Sequence, residues 1–425
     1  MRIDRRGALR AVAGAWVGGL AGWAAQGTLA FAAQGAEGQL LAVRGATVHT
    51  MAGAPITDGV VVIRDGKVAA VGPAAQVAIP PGARVLTAAV VTPGLVDAHT
   101  VVGLTGYLNQ DQDQDQLDPT EPIQPELRAL DSYNPRERLV EWVRGFGVTT
   151  LHTGHAPGAL VSGQTMVVKT RGDSVEEAAL LPVAMVAVTL GDDGRAKGDE
   201  KKSPGTRSKA VAMLRGELVK TRDYVRKRDA ADPDKRPDRD LRREVFADVL
   251  AGKLPLLVTA NRATDIDSAL RVAEEFGIRI VLDSAAEGYL VAERIKAAGV
   301  PVIVHPSMRR SGAGETENAS FETAAKLRAA GIPIALQSGF EAYVPKTRVA
   351  LFEAAIAAAN GLATEEALAA VTVDAARILG VADRVGSIAT GRDGDLALFD
   401  GDPFEYTTHC VATVIDGAVV FEGPR

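Results

Sequence analysis

The stretch AVVTPGLVDAHTVVGL, residues 89–104, decides the fold of this chain. Its apolar residues run up to Pro93 and Gly94, which bend the chain, and the pattern predicts a buried strand over residues 90–98. Asp97 and His99 stand at the carboxyl end of that strand. Because a parallel α/β barrel keeps its functional groups at the carboxyl ends of its strands, we expect both side chains at a functional site.

Apolar strands and amphipathic helices alternate along the middle of the sequence, which is typical of βα units and a parallel sheet. Helices with three- and four-residue apolar spacing are expected at 266–276, 290–298 and 363–370, and a charged insertion adds helices at 207–227 and 241–251. The expected strands are 90–98, 148–154, 165–170, 182–190, 255–261, 278–284, 301–306 and 333–339. This strand count predicts an α/β fold with a (β/α)8 TIM barrel over residues 89–384.

Both ends of the mature chain have a different texture from the barrel region. Short strands with hairpin turns are expected over 40–49, 60–63 and 67–71, and again over 395–399 and 411–421. The dipeptides Asp65-Gly66 and Asp416-Gly417 are typical hairpin turns. We therefore expect small β regions over residues 33–88 and 385–425.

Composition excludes some classes of partner. The formal net charge of -6 and the mixed charge of the insertion favour neither nucleic acid nor an anionic membrane surface. The expected partners are a small molecule or another protein chain. Cys410 is the single cysteine of the sequence, so no internal disulfide is expected.

Residues 1–32 have the pattern of a targeting signal. The run Asp4-Arg5-Arg6 through Arg10 is similar to a twin-arginine export motif. It is followed by the weakly apolar run 11–25 and by an Ala30-Phe31-Ala32 cleavage pattern. That run falls short of the roughly 20 residues of a spanning helix. We expect a periplasmic or otherwise exported protein with no stable membrane span after signal cleavage.

Several segments resemble one family of proteins. PGLVDAH, residues 93–99, resembles the PGLIDAHxH signature of the metal-dependent amidohydrolases. The match extends to the imidazolonepropionase-like branch through GFGVTTLHT (145–153), GQTMVVKT (163–170), TANRATDI (259–266), DSAAEGY (283–289) and VGSIATGRDGDL (385–396). The resemblance implies hydrolysis of carbon–nitrogen bonds, either in non-peptide compounds or in dipeptide-like compounds. It also implies that segments 33–88 and 385–425 combine into one β-sandwich beside the barrel.

The resemblance also implies a binuclear zinc centre, and this chain departs from its ligand pattern. His99 matches the first ligand, and no lysine lies between residues 181 and 194, where the family can present a carboxylated one. The remaining ligand positions of the family fall on Val101, Thr259, Ser284 and the pair Ser338 and Gly339. Neutral hydroxyls bind zinc poorly, so we predict no metal cofactor and an inactive, pseudoenzyme-like chain.

Other features of the family pocket are retained. Asp97, Arg262, Asp265 and Glu287 still stand at the positions that surround the site in the resembled family. The sequence therefore favours an exported partner or binding subunit, associated with a small molecule or a related amidohydrolase subunit, and an oligomer is compatible with it.

An alternative assigns the chain an active, metal-dependent amidohydrolase function. His99, His152 and His155 follow the first two strands, which are neighbours in a barrel, so they could approach one shared zinc ion. In a third interpretation, the chain is a ligand-binding protein that uses the pocket in which the family binds its substrates. The family resemblance by itself does not decide among these functions, so whether the chain is an enzyme stays open at this point.

Overall fold

The computed structural model describes residues 40–108, 110–195, 204–230, 232, 234, 236–307, 314–340 and 350–423. The proposed export signal, residues 1–32, lies outside the described residues. Those described form one compact unit, and the domain boundaries drawn from the sequence remain a prediction.

The described strands fall into three sheets. In chain order they are β1 (Leu40–Val48), β2 (Ile56–Arg64), β3 (Lys67–Pro73), β4 (Arg84–Pro93), β5 (Leu95–Thr100), β6 (Val148–Thr153), β7 (Val161–Gln164), β8 (Met166–Lys169), β9 (Ala179–Leu181), β10 (Val186–Thr189), β11 (Leu256–Ala260), β12 (Ile280–Ser284), β13 (Val302–Val304), β14 (Ile334–Leu336), β15 (Leu396–Phe399), β16 (Cys410–Ile415) and β17 (Ala418–Glu422).

The two ends of the chain share one sheet. Its order is β17-β16-β15-β4-β1-β2-β3, so strands from before and after the central region are hydrogen-bonded to each other. The link is the antiparallel pair β15 and β4, in which Leu396 lies opposite Pro93. Alternate side chains of this sheet are buried in one apolar cluster that includes Val43, Ile63 and Leu398.

The central strands form the other two sheets, with orders β14-β13-β12-β11-β10-β7 and β5-β6-β8-β9. The pairs from β10 to β14 are parallel, as is β5 with β6. One parallel bridge between Thr100 and Gly339 brings the first central strand beside the last. The carboxyl ends of these parallel strands therefore lie at one edge, as the sequence predicts.

Two strand predictions were wrong in detail. The expected strand 90–98 is divided at Gly94: β4 pairs in the seven-stranded sheet, and only β5 enters the central sheets. A Cβ at Gly94 would lie 2.1 Å from Oγ1 of Thr149, so the chain crosses here where only glycine fits. The expected parallel strand 165–170 is observed as β8, which runs antiparallel to its neighbours β6 and β9, and the separate strand β7 ends just before Thr165.

Helices pack against the central strands. They are α1 (Arg138–Arg144), α2 (Val175–Ala178), α3 (Arg207–Arg228), α4 (Leu241–Leu250), α5 (Ala263–Phe276), α6 (Ala292–Ala298), α7 (Thr323–Ala329), α8 (Ala350–Ala359), α9 (Thr364–Ala370) and α10 (Val373–Ile378). The predicted helix 290–298 begins as a 3-10 turn and becomes α-helical at Ala292. In α5, Ile266, Leu270 and Phe276 are buried on one face, which is the apolar stripe visible in the sequence.

No helix among the described residues is both long and apolar enough to cross a membrane.

Candidate functional site

A buried hydrogen-bond network joins the carboxyl ends of four central strands. At its centre is Asp283 of β12, a fully buried carboxylate. His99 Nδ1 lies 3.0 Å from one carboxylate oxygen of Asp283, and Gln337 Nε2 donates to the same oxygen at 2.9 Å. Thr259 Oγ1 donates to the other oxygen at 2.7 Å. These contacts hold β5, β11, β12 and the end of β14 together around one negative charge.

The hydrogen-bond donors around Asp283 favour the ionised form of its carboxyl group. Burial by itself raises the pKa of this carboxyl, but the charge of His99 and the hydrogen bonds from His99, Thr259 and Gln337 lower it, and the net shift of the pKa is downward. The carboxylate is therefore ionised and accepts at both oxygens. It follows that the hydrogen on the His99 ring nitrogen facing Asp283 is at Nδ1.

His152 takes up a structural position beside His99. The two ring centroids are 5.7 Å apart. Its Nδ1 lies 2.7 Å from the carbonyl oxygen of Ala98, and its Nε2 lies 2.7 Å from Oγ1 of Thr165. Burial, followed by the nearby charge of His99, lowers the pKa of His152 to about 3, so the ring is neutral and both nitrogens are already hydrogen-bonded.

His155 lies beside the loop that follows β5, where the next residue, Ala156, donates its backbone N–H to the carbonyl oxygen of Gln116. Its side chain is 4% exposed, and neither ring nitrogen has a hydrogen-bond partner among the described residues. Burial lowers the pKa of His155 to about 4, although Asp118 and the backbone of Gln116 oppose the shift. A Cβ at Gly163 would lie 2.3 Å from the imidazole, so the ring packs directly on this glycine.

Asp97 faces the last central strand rather than open solvent. Its carboxyl group accepts hydrogen bonds from the backbone N–H of Ser338, at 2.9 Å, and from the Ser338 hydroxyl. Burial raises the pKa of Asp97 to about 7, and the Ser338 hydrogen bonds only partly oppose this shift. Asp97 and Ser338 therefore join the first and last central strands.

The other family ligand positions have separate surroundings. Val101 packs with Ala156 and Phe340 in a small apolar cluster. Ser284 has a positive φ of 69°, and its buried hydroxyl has no partner among the described residues. Gly339 has φ 100°, and a Cβ there would lie 3.0 Å from Cγ of Pro306.

The remaining pocket residues expected from the sequence make ion pairs and a helix cap. Arg262 lies 2.9 Å from Asp192, and Asp265 lies 3.0 Å from Arg207, which connects the insertion helix α3 with α5. Glu287 accepts from the backbone N–H of Ala263 at 2.8 Å, at the first residue of α5. Arg262 and Asp265 therefore belong to one ionic network, because Arg207 also lies 3.8 Å from Asp192, whereas Asp97 contacts Ser338 instead.

A metal site requires several ligand side chains that converge on one point. Across the described ranges, no group of three or more His, Cys, Asp or Glu residues is arranged to hold a metal ion. The sequence interpretation missed Asp283 and Gln337, although an acidic residue beside Ser284 and an amide beside Ser338 were visible signals at strand ends.

Comparison with known proteins places the chain in a family. A model of the amidohydrolase family matches residues 346–421. The solved structure of an amidohydrolase from Thermotoga maritima MSB8 is 32% identical, covers 90% of this chain and 100% of its own, and superposes with a TM-score of 0.85. The chain belongs to the amidohydrolase superfamily.

More distant curated relatives agree with this placement. The imidazolonepropionase of Solibacter usitatus is 24% identical over 371 residues, which are 82% of this chain and 86% of the relative. Within the superfamily, the chain falls in the imidazolonepropionase-like branch. Amidohydrolase tasK of Hapsidospora irregularis is 24% identical over 367 residues, and the match spans only 36% of its length.

Proposed function

We propose that this chain is an exported amidohydrolase relative without the family's metal centre, and that it acts as a binding or partner subunit rather than as a hydrolase. The observation that carries the proposal is the network around Asp283. Its two carboxylate oxygens already accept from His99, Thr259 and Gln337, so the charge is balanced by protein donors.

The side chains at the family's ligand positions do not fit zinc. Val101 supplies no donor atom, Thr259 donates its hydroxyl to Asp283, and Ser338 donates to Asp97. Zinc in proteins is held by thiolates, imidazoles and carboxylates, usually four ligands around one ion. The set present here supports no metal-activated water, and therefore no step of the family mechanism that depends on one.

A second candidate is a rebuilt mononuclear site with hydrolase activity. It is favoured by Nε2 of His99 and by both ring nitrogens of His155, which have no hydrogen-bond partner in the part of the chain that the structure describes. It is opposed by His152, whose nitrogens contact Ala98 and Thr165 and would have to give up one of those hydrogen bonds to bind metal.

Elemental analysis separates these candidates. We expect the mature protein, purified without chelator from a host that exports it, to contain less than one equivalent of zinc. We also expect no hydrolysis of dipeptides or cyclic amides. One or more tightly held equivalents would overturn the proposal.

Matched variants would then locate any metal. If the rebuilt site exists, His99→Ala and His155→Ala should each remove the zinc, whereas His409→Ala should not. His409 is the appropriate control because it is half-exposed and pairs with Asp400 outside the central strands.

The proposal includes the finer architecture. We propose that the central strands close into a (β/α)8 barrel across the bridge from Thr100 to Gly339, and that the sheet made by both chain ends is one layer of a β-sandwich. Export through the twin-arginine route belongs to the same proposal and rests on Arg5 and Arg6.

A further inference from the structure

A groove lies at the amino ends of strands β11 to β14, at the opposite end of these strands from the Asp283 network. Its volume is about 970 Å³, and we call it the basal groove. Helices α5, α6 and α10 line it, together with residues that begin the strands, such as Ile280, Val300 and Pro333. Among the described residues of this lining, none is a site residue named from the sequence, so the basal groove is separate from the family's ligand positions.

The floor of the basal groove offers apolar contacts and little backbone hydrogen bonding. Proline precedes three of the four strands, at Pro255, Pro301 and Pro333, and proline has no N–H to donate. The carbonyl oxygens of these prolines, and that of Arg279 before β12, already accept from backbone N–H groups of neighbouring strands. A ligand on this floor would therefore meet aliphatic side chains, and its polar groups would have to be recognised by side chains at the rim.

The rim of the basal groove is rich in arginine. Its charged lining residues are Arg271, Arg279, Arg294, Arg377 and one acid, Glu274. Arg294 lies 2.6 Å from Asp267, and Arg377 lies 2.7 Å from Asp374, so two of the four cations are already paired.

The other two arginines have only neutral partners. Arg271 donates to the hydroxyl of Ser268 at 2.9 Å, and Arg279 donates to the carbonyl oxygens of Gly252 and Lys253 at 3.0 and 2.9 Å. Neither has a carboxylate partner in the part of the chain that the structure describes. Because guanidinium groups bind carboxylates well, this rim favours an acidic ligand.

The basal groove is open to solvent along its rim, where Arg271, Gly277, Ala298 and Pro333 are all exposed. Pockets for small molecules usually enclose most of the ligand, which an open groove does not do. An open groove with an apolar floor is typical of sites that receive one face of an amphipathic polypeptide segment. The shape and the charge together favour a segment with aliphatic residues on one face and acidic residues beside them.

We propose that the basal groove is a docking surface for a partner polypeptide and binds an acidic amphipathic segment of that partner. Its aliphatic side chains lie on the floor, and its carboxylates pair with Arg271 and Arg279. The inference rests on the proposed function as a partner subunit and adds where, and by what chemistry, the partner is held. Because the groove and the family's ligand positions are at opposite ends of the strands, the zinc measurement and the docking measurement can fail independently.

A synthetic peptide tests the chemistry of the basal groove. In this fluorescein-labelled peptide, leucine recurs every three or four residues and glutamate fills the other positions. Fluorescence anisotropy with the mature full-length protein should show saturable binding. Replacing every glutamate by glutamine should raise Kd about tenfold, the loss expected for two exposed ion pairs near the upper end of their usual strength. Equal binding of the two peptides, or no saturable binding of the glutamate peptide, would overturn the proposal.

Two pairs of variants locate the peptide. Arg271→Gln combined with Arg279→Gln should raise Kd about tenfold, whereas Arg44→Gln should not, because Arg44 pairs with Asp58 in the sheet formed by both chain ends. Equal losses would mean that the peptide responds only to overall charge, and would refute the site.

The second pair of variants adds a negative charge at exposed alanines, where the fold should tolerate it. Ala298→Glu places the charge in the basal groove and should weaken binding, whereas Ala54→Glu, between β1 and β2, should not. Undiminished binding by Ala298→Glu would contradict the site. Binding of decanoate but not of the peptide would assign the groove to a small amphiphile. Self-association that Ala298→Glu abolishes would assign it to a second copy of the chain, and either result would overturn the proposal.

Discussion

Replacing Lys169 by methionine tests the ionic contact between the central strands and the sheet formed by both chain ends. Lys169 ends β8 and is 3% exposed. Its ammonium group lies 2.7 Å from Asp393 and 2.9 Å from Asp395, and it also pairs with Asp416. Burial lowers the pKa of Lys169, but these three carboxylates outweigh the burial and the net shift is upward.

Methionine keeps the length of the side chain and removes its charge. Asp395 is then left buried without a cation, and removing one partner of a buried ion pair typically costs about 3–5 kcal/mol. We expect the free energy of unfolding of Lys169→Met to fall by about that amount at pH 7.5, measured by urea denaturation.

The pH dependence follows from Asp395. Burial raises its pKa to about 6 even with Lys169 present, and loss of the lysine should raise the pKa further. A raised folded-state pKa means that stability is retained below the unfolded pKa and is lost as pH rises through the folded pKa. The cost of Lys169→Met should therefore be smaller at pH 5 than at pH 7.5.

Lys67→Met is the matched control. Lys67 contacts the same Asp393, but its side chain is 51% exposed. An exposed pair contributes about 0–1 kcal/mol, so this variant should remain close to the wild type. The reasoning fails if Lys169→Met loses less than about 1 kcal/mol at pH 7.5, or if both variants lose the same amount.

Three further predictions concern acid stability, backbone conformation and export. Because the pKa of His155 is lowered to about 4, the free energy of unfolding should fall as pH falls from about 6.5 towards that value. The expected loss is about 2 kcal/mol at pH 5, and His155→Gln should not show it in denaturation experiments. Gly339→Asp should lower the free energy of unfolding by about 1–3 kcal/mol and so lower the urea midpoint, because φ at this position is positive and a Cβ would press on Pro306; an unchanged midpoint would contradict this. Replacing Arg5 and Arg6 by lysine should leave uncleaved precursor in the cytoplasm on immunoblots, and normal processing would contradict the export signal.

The periodicity of apolar residues correctly predicted elements whose pattern of burial is regular along their length. The helix expected at 241–251 is observed as α4, Leu241–Leu250, and the strand expected at 278–284 contains β12, Ile280–Ser284. Both carry continuous apolar or amphipathic patterns set by local packing. The direction of β8 could not be read in this way, because a buried strand has the same pattern whether it runs parallel or antiparallel.

Lys169 shows a different limit of sequence reasoning. A lysine after an apolar strand is ordinarily read as exposed, since isolated charged residues are rarely buried. Its partners Asp393, Asp395 and Asp416 are more than 200 positions away along the chain. Only the packing of the sheet against β8 brings them together, and no local pattern encodes that contact.

Only part of the candidate site emerged from the sequence: His99 and Thr259 were named as site positions, whereas their shared partner Asp283 was missed. The family motif directed attention to Ser284, whereas the parallel register places Asp283 opposite Thr259, and Thr259 donates to it. Side chains alternate across a strand, so a shift of one residue exchanges the face that meets His99. In this chain the negative charge at the strand ends comes from Asp283, one residue before the motif position. A restoration of zinc binding by Val101→His, Thr259→His and Ser284→His should therefore keep Asp283, because Asp283 contacts Nδ1 of His99 and leaves Nε2 facing away from the carboxylate. A carboxylate on the second ring nitrogen orients a zinc-binding histidine, so adding Asp283→Asn to these three substitutions should weaken the zinc affinity measured by titration, and an unchanged affinity would contradict this role of Asp283.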